Sequence, residues 1–252
     1  MSAPGTGLDG GLPGWYERTV LVTGANGLLT SAVARRLAML GAPLLLHVHR
    51  GTSRIDSTPE LAEVARLPAD LSRREDRERV IREATARAPL GAIVLGASRF
   101  SRTPVDHLDH TTIRDVLRLE LEAHLEIVGG LARHLASGSR VVLFTDTATT
   151  VGWADYPVYL AAKGGLEAAV RSLARALGPR VTVLAVAPGS LEGTPPPPDG
   201  DPRETTALRR RGTAVEVAAA TVGLMCLPQA VTQGMTVPVD GGRRLFAQIP
   251  SG

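Results

Sequence analysis

The sequence predicts a single α/β domain in which helices cover both faces of a seven-stranded parallel sheet, a doubly wound arrangement. Two observations carry this prediction. Short apolar stretches alternate with helical stretches along most of the 252 residues, as is typical of parallel sheets. Hydrophobic residues make up 44% of the chain but aromatic residues only 3%, so the core must consist mainly of Ala, Val and Leu, as in sheets buried on both faces.

The predicted elements follow one another from Thr19 onward. The strands are "TVLVTG", "PLLLHVHR", "ARLPAD", "GAIVLGAS", "RVVLFTD", "RVTVLAVAPG" and "MTVPVDGG". Helices are expected over about 28–40, from a Ser72–Glu75 capping box to about 87, over about 111–135 and 159–177, and from a Thr213–Glu216 capping box to about 227.

Composition argues against several classes of function. The 28 basic and 25 acidic residues leave a formal charge of only +3, and no basic run is interleaved with aromatic residues, so we expect no nucleic-acid partner. No stretch approaches the roughly 18 apolar residues of a membrane span, and the first residues lack a secretory signal. The single cysteine, Cys226, fits a reducing cytoplasm, where we expect it to be a small buried apolar side chain rather than a nucleophile.

Two segments are expected to lie outside the regular elements. Residues 1–14 are rich in Gly and Pro and are expected to form a flexible tail, which leaves one domain over 15–252. The segment "EGTPPPPDGDP", residues 192–202, can be neither helix nor sheet, because consecutive prolines lack amide donors. Since it follows the sixth strand, it is either a lid over a substrate or an exposed linker.

The first strand runs into a glycine turn and a helix start, "TVLVTGANGLLT". In such a turn the backbone amides around Gly24, Asn26, Gly27 and Leu28 can approach a pyrophosphate, whose charge the helix dipole favours. Thr30 stands where a third glycine would allow close packing. The motif predicts a Rossmann-type dinucleotide-binding domain.

The end of the second strand, "HVHRGTS", indicates the type of dinucleotide. It lacks the acidic residue that commonly binds the ribose hydroxyl of NAD, whereas Arg50 suits a 2′-phosphate, so the sequence predicts NADPH. A basic strand end without this role is the alternative. His47 and His49 are two residues apart, but no matching cysteine or carboxylate set is evident, so no metal site is predicted. Asp70–Leu71 is placed to contact adenine, although Asp70 could equally cap a helix.

Three side chains in "LFTDTATTVGWADYPVYLAAK" suggest acid–base chemistry. Tyr159 and Lys163 are four residues apart on a predicted helix and share one face, so the ammonium can lie near the phenol and stabilise its anion. A phenol whose pKa is lowered in this way becomes a usable general acid. Asp146 lies thirteen residues before the tyrosine, directly after the fifth strand. It either joins the pair or caps a loop.

From about Thr19 to Gly242 the chain resembles the short-chain dehydrogenase/reductase family, on the pieces "TGANGLLT", "ADLS", "YLAAK", "VLAVAPG" and "VDGG". Most of that family carries a serine where this chain has Asp146. The resemblance implies a homotetramer joined through the helices near 111–135 and 159–177 and the last strand. It also implies cofactor contacts from Gly24, Asn26, Gly27, Leu28, His49, Arg50, Thr52, Asp70, Leu71, Ala97, Tyr159, Lys163, Pro188, Gly189 and Ser190.

The aspartate, the strand end "HVHR" and the segment "ASRFSRTP" make the chain most similar to the pteridine reductase branch of that family. This similarity implies that Asp146, in its protonated form, donates to a substrate ring nitrogen or relays a proton through Tyr159. It also implies that Phe100 stacks a pterin against the nicotinamide, with Leu191 completing the substrate site. A plain core phenylalanine is the alternative for Phe100.

Four further residues depart from the family pattern. Leu95–Gly96 replaces an asparagine pair, Leu28 stands in place of an arginine that contacts substrate, and Glu120 aligns with an asparagine that organises a proton-relay water. Glu120 could hold a water or a cationic substrate, or be an exposed helix residue.

The sequence therefore predicts an NADPH-dependent reductase that acts on a C=N or C=O bond of a small, heterocyclic substrate, either pterin-like or an imine or ketone. Asp146, Tyr159 and Lys163 would form its proton-transfer group. Two alternatives keep the same fold. One is a redox-neutral lyase, cyclase or isomerase that uses the tyrosine and aspartate as acid and base, and the other is a non-catalytic NADPH-binding module.

Overall fold

The computed structural model describes residues 14–49, 51, 53–198 and 200–245. The predicted tail lies outside the described residues except for Gly14, which begins a 3₁₀ turn at Gly14–Glu17. Trp15 in this turn is 2% exposed, and its indole Nε1 donates to Met225 O at 3.1 Å. A buried aromatic side chain therefore anchors the start of the described chain.

A seven-stranded sheet forms the centre of the molecule, with the spatial order β3-β2-β1-β4-β5-β6-β7. Every neighbouring pair of strands is parallel, which confirms the predicted doubly wound architecture. The strands are β1 (Val20–Thr23), β2 (Leu44–Val48), β3 (Ala65–Pro68), β4 (Leu90–Leu95), β5 (Leu135–Phe144), β6 (Val181–Pro188) and β7 (Thr236–Val239).

Ten α-helices connect and cover these strands in the described part of the chain. They are α1 (Leu28–Met39), α2 (Ser53–Asp56), α3 (Arg74–Thr85), α4 (His110–Leu117), α5 (Ala123–Leu131), α6 (Ala148–Val151), α7 (Pro157–Leu177), α8 (Pro202–Thr205), α9 (Ala214–Cys226) and α10 (Gln229–Thr232). None of the helices in these ranges is long and apolar enough to cross a membrane.

Alternate residues of each central strand enter two separate cores, because successive side chains of a strand point to opposite faces. Val20 and Val22 belong to the core under α1 and α9, whereas Leu21 belongs to the core under α3, α5 and α7. In β1, β2 and β4, Thr23 and His47 are the only polar residues, since both faces of the sheet are covered there.

Three sequence-based expectations about the elements need correction. The Ser72 capping box is wrong: α3 begins at Arg74, and the Ser72 hydroxyl donates to Asp70 Oδ1 at 2.6 Å, because a neighbouring carboxylate competes for it. The helix expected over 111–135 is interrupted by a π-helical turn at Arg118–Glu122, and β5 begins at Leu135, five residues before the predicted strand. The Thr213–Glu216 capping box is confirmed.

Cys226 is half-buried rather than fully buried, and this burial raises the pKa of its thiol. A thiol with a raised pKa is mostly protonated at neutral pH, so it is a weak nucleophile.

Candidate active site

Four strands end at the same edge of the sheet, since they are parallel. β1, β4, β5 and β6 end at Thr23, Leu95, Phe144 and Pro188. The order in which successive strands are added to the sheet reverses at β1, since β2 lies on one side of β1 and β4 on the other. A crevice opens at such a point, and ligands of open α/β sheets bind there.

The turn after β1 is shaped by close backbone contacts. Gly24 has a φ of +66°, and a Cβ added there would lie 2.7 Å from the Ala97 Cα, so a side chain cannot be accommodated. Thr30, which stands in place of a third glycine, is buried, and its hydroxyl donates to Gly24 O. The threonine therefore closes the turn with a hydrogen bond.

The N-terminus of α1 faces this turn without a side-chain cap. The N-cap residue is Gly27, and no side chain accepts from the first turn of the helix. The first backbone N–H groups of a helix need an acceptor, and the helix dipole favours an anionic one. The geometry of the turn thus fits the pyrophosphate of a dinucleotide.

His47 supports the same turn, a role that the sequence did not predict. Its Nδ1 accepts from Gly24 N at 3.0 Å and its Nε2 donates to Ala69 O at 3.0 Å. Burial lowers the pKa of His47 to about 4, so the ring is neutral near pH 7, as these two hydrogen bonds require. The histidine links the turn after β1 to the segment after β3.

One cavity, of about 410 Å³, lies on the β2 and β3 side of the glycine turn. Predicted cofactor residues that line it are Gly24, Asn26, Gly27, His49, Asp70, Leu71 and Ala97. His49 Nδ1 lies 3.8 Å from Asp70 Oδ1. The two residues predicted to select a 2′-phosphate, Arg50 and Thr52, lie outside the described residues.

A second cavity, of about 300 Å³, lies on the β5 and β6 side and has a mainly apolar wall. Predicted site residues that line it are Gly27, Leu28, Phe100, Asp146, Tyr159, Pro188, Gly189, Ser190 and Leu191. Leu28, predicted at the pyrophosphate, therefore also faces the second cavity. Gly27, Gly96 and Ser98 line both cavities, so the two form adjoining lobes at the same sheet edge.

Tyr159 and Asp146 are in direct contact in this second cavity. The Tyr159 hydroxyl donates to Asp146 Oδ2 at 2.9 Å, and the other carboxylate oxygen accepts from Ala148 N at 2.8 Å. Burial raises the pKa of Asp146 above its usual range. Burial, followed by the negative charge of Asp146, raises the pKa of Tyr159 well above its usual value near 10.

Lys163 lies near the phenol, but its charged partner is a different residue. The ammonium Nζ is 5.4 Å from the centre of the Tyr159 ring and donates to Phe144 O at 3.2 Å. It also lies 3.1 Å from Glu120 Oε2, and both side chains of this ion pair are almost completely buried. The idea that Glu120 is an exposed helix residue is therefore wrong. The expected lowering of the tyrosine pKa by the lysine is outweighed by burial and by the carboxylates.

Phe100, Trp153 and Tyr156 form an aromatic cluster with Tyr159. Phe100 stacks on Tyr156 with ring centres 4.2 Å apart at an angle of 12°, and it meets Trp153 and Tyr159 edge to face. Phe100 is 38% exposed and lines the cavity, so it is not a core residue, but Tyr156 already covers one of its ring faces.

Arg243 is a second basic residue at the site that the sequence did not reveal. It is 3% exposed, and its guanidinium carbon lies 5.0 Å from the centre of the Trp153 ring. Burial lowers the pKa of Arg243, whereas the charge of Asp146 opposes that shift. No local pattern points to this residue, because Arg243 follows β7, about a hundred residues after the aspartate.

The proline-rich segment extends over the cavity. Pro195, Pro196 and Pro197 line it, and Arg211 donates to Ser190 Oγ at 2.9 Å and to Pro195 O at 3.0 Å. The segment is thus tethered at the rim of the cavity rather than being a remote linker.

Together, the glycine turn, the adjoining cavities and the tyrosine–lysine pair define an NAD(P)-dependent oxidoreductase. A family model described as enoyl-(acyl carrier protein) reductase matches residues 25–244. The chain belongs to the short-chain dehydrogenase/reductase family.

Three relatives illustrate this membership. The chain is 31% identical over 242 residues to the "Granaticin polyketide synthase putative ketoacyl reductase 2" of Streptomyces violaceoruber, covering 90% of this chain and 96% of that protein. It is 29% identical to the 3-oxoacyl-acyl-carrier-protein reductase FabG of Pseudomonas aeruginosa, covering 89% and 96%. A short-chain dehydrogenase structure from Burkholderia cenocepacia, in complex with NADP, matches with a TM-score of 0.81 and 29% identity, covering 91% and 98%.

Proposed function

We propose that this protein is an NADPH-dependent reductase of a C=O or C=N bond in a small, heterocyclic and largely apolar substrate. The observation that carries the proposal is the hydrogen bond from Tyr159 to the half-buried Asp146 carboxyl, inside an apolar cavity at the carboxyl edge of the sheet. Such a pair places a proton next to a carbonyl oxygen or an imine nitrogen.

The chain offers a binding group for each part of the cofactor. Gly24, Asn26, Gly27 and the start of α1 would bind the pyrophosphate, and Arg50 with Thr52 would bind the 2′-phosphate. Lys163 would bind the nicotinamide ribose, because an ammonium has three donors and the contacts to Glu120 and Phe144 use two. Pro188, Gly189 and Ser190 would lie beside the carboxamide. When bound, the cofactor supplies the hydride.

The residues of the chain then supply the proton. Tyr159 is protonated near neutral pH, since the usual pKa of a phenol already lies near 10 and burial raises that of Tyr159 further, so it is in the form that a reduction requires. Asp146, whose pKa is also raised, can replace that proton through the same hydrogen bond or donate directly to a substrate nitrogen.

The wall of the cavity supports an apolar substrate with a flat ring. Phe100, Trp153 and Leu191 line it together with three prolines. Asp146 is the one carboxylic acid among the lining residues in the described part of the chain, and Leu28, which lines the same cavity, offers no charge to bind an anionic group. The ketoacyl reductases among the relatives favour a ketone, whereas the resemblance to pteridine reductases favours a pterin or an imine.

Steady-state assays test the proposal. We expect pure protein to oxidise NADPH faster than NADH when it is given ketones, cyclic imines or pterins, and we expect Tyr159→Phe to lose that activity. Conversion of a substrate without loss of NADPH absorbance would instead support a redox-neutral lyase, cyclase or isomerase. Binding of NADPH with no conversion of any compound would support a non-catalytic module.

We also propose that the protein is a cytoplasmic homotetramer, as its family resemblance suggests. The α4–α5 region, α7 and β7 would form the contacts between subunits. Sedimentation equilibrium of the purified protein tests the tetramer directly, and a monomer at micromolar concentration would contradict it.

A further inference from the structure

The Glu120 carboxylate is enclosed by three donors from two separate elements. It lies in the π-helical turn Arg118–Glu122 and is 1% exposed. It accepts from Ser98 Oγ at 2.8 Å and from Arg99 N, and it lies 3.1 Å from Lys163 Nζ. A buried carboxylate with this many donors is held in one fixed position.

These contacts join Lys163 to the wall of the two adjoining cavities. Ser98 lines both cavities and Arg99 lines the first. The segment after β4 and the ammonium of α7 are therefore bound to the same carboxylate. Because little water reaches the pair, loss of the carboxylate would not be compensated by solvent.

The same charge acts on the phenol. Tyr159 is faced by the carboxylates of Asp146 and Glu120 and by the ammonium of Lys163, while Arg243 acts on the neighbouring Asp146. His124, one turn after Glu120, is neutral, since burial and the nearby ammonium lower its pKa to about 3. Lys163 alone would favour the phenolate, and Glu120 opposes it.

We propose that Glu120 is a positioning residue that fixes Lys163 and the Ser98–Arg99 segment as one unit and balances the charge of the ammonium beside the Tyr159 hydroxyl. The proposal rests on the proposed reductase function, in which Tyr159 is the proton donor. It assigns a purpose to an acidic residue at a position where the family pattern has an amide.

Two measurements that need no substrate test this role. Ultraviolet titration of tyrosinate, with Tyr159→Phe as the subtraction reference, follows the ionisation of the phenol. We expect Glu120→Gln to lower the pH of that ionisation by about one unit or more, because one negative charge is lost and the ammonium is released. We expect its NADPH dissociation constant, measured by cofactor fluorescence, to rise about tenfold.

Glu122→Gln is the matched control, since Glu122 lies in the same π-helical turn with a half-exposed side chain paired to Arg77. It should leave both the tyrosine ionisation and NADPH affinity unchanged. If Glu120→Gln does not fold, Glu120→Asp provides the second test. Its shorter carboxylate keeps the charge but cannot hold all three donors, so NADPH affinity should fall while the tyrosine ionisation stays near that of the wild type.

The proposal is overturned if folded Glu120→Gln ionises Tyr159 at the same pH as the wild type, or if folded Glu120→Asp binds NADPH as tightly as the wild type. A different failure would be seen if the wild type bound NADPH and the Glu120 variants behaved as expected, yet no compound was reduced. That outcome would contradict the proposed function and leave the positioning role of Glu120 supported.

Discussion

The variant Asp146→Asn distinguishes the role of the Asp146 carboxyl in proton transfer from its effect on the stability of the fold. The carboxylate accepts from Ala148 N through one oxygen and from the Tyr159 hydroxyl through the other. An amide has a single oxygen, which can keep the Ala148 contact, while its NH₂ group must donate to the tyrosine oxygen. The shape of the site is preserved, but the proton on Tyr159 can no longer be replaced from residue 146.

The expected loss of activity follows from the role of a general acid. Positioned acids and bases contribute about 10²–10⁴-fold to a rate, which corresponds to about 3–5 kcal/mol of activation free energy. We therefore expect the kcat of Asp146→Asn to decrease by about 10²–10⁴-fold, with little change in the affinity for NADPH.

The free energy of unfolding of Asp146→Asn should increase relative to that of the wild type as the pH rises. Because burial raises the pKa of Asp146, the folded state binds its proton more tightly than the unfolded state, and wild-type stability falls as the pH rises from the unfolded pKa to the folded pKa. Each unit between those two pKa values corresponds to about 1.4 kcal/mol. The amide does not ionise, so the variant should not lose stability in this way. The difference in the free energy of unfolding between the variant and the wild type should therefore shift in favour of the variant over this interval.

Urea denaturation between pH 4 and pH 9 and initial rates of NADPH oxidation measure the two effects. Asp106→Asn, a change at an exposed aspartate, is the control and should alter stability by less than about 0.5 kcal/mol at every pH. Wild-type turnover by Asp146→Asn would refute the role of Asp146 in proton transfer. A stability difference that is independent of pH would refute the raised pKa.

Three further predictions concern the neighbouring residues. Tyr159→Phe should lower kcat by about 10²–10⁴-fold while NADPH still binds, as measured by steady-state rates and cofactor fluorescence; an active variant would show that another group donates the proton. Burial lowers the pKa of His47 to about 4, so the free energy of unfolding of the wild type should fall by about 3 kcal/mol relative to that of His47→Gln as the pH falls from 6.5 to 4. Urea denaturation measures this difference, and the same pH dependence in both proteins would contradict the prediction. Finally, Asp146→Ser and Glu120→Asn should be non-additive in kcat, because both carboxylates act on the same phenol; additive effects in a double-mutant cycle would show that they act independently.

The sheet and part of the site could be predicted from sequence because their signals are local. The apolar strands and the glycine turn are visible as short patterns, and the thirteen residues from Asp146 to Tyr159 correspond to the observed contact between them. In each case the end of a strand or the face of a helix fixes where the side chain must lie.

The position of Glu120 could not be predicted because the helix that carries it is not regular. A π-helical turn adds a residue to the helix between α4 and α5, so the usual period of 3.6 residues assigns the wrong face to residues beyond it. His47 and Arg243 were missed for a different reason. Their contacts, to Gly24 and toward Asp146, join distant segments whose proximity depends on the whole fold.

The two acidic departures from the family pattern are related through the geometry of α7. Tyr159 and Lys163 lie one turn apart on this helix, and each has its own carboxylate: Asp146 contacts the phenol and Glu120 the ammonium. If Lys163 paired with Asp146 instead, its charge would stabilise the ionised carboxylate and lower the pKa of that group. In the structure, burial is the largest influence on Asp146 and raises its pKa, although Lys163 and Arg243 act in the opposite direction. On our proposal, the ion pair with Glu120 weakens the effect of Lys163 on residue 146, so that a carboxyl there can serve as a proton donor.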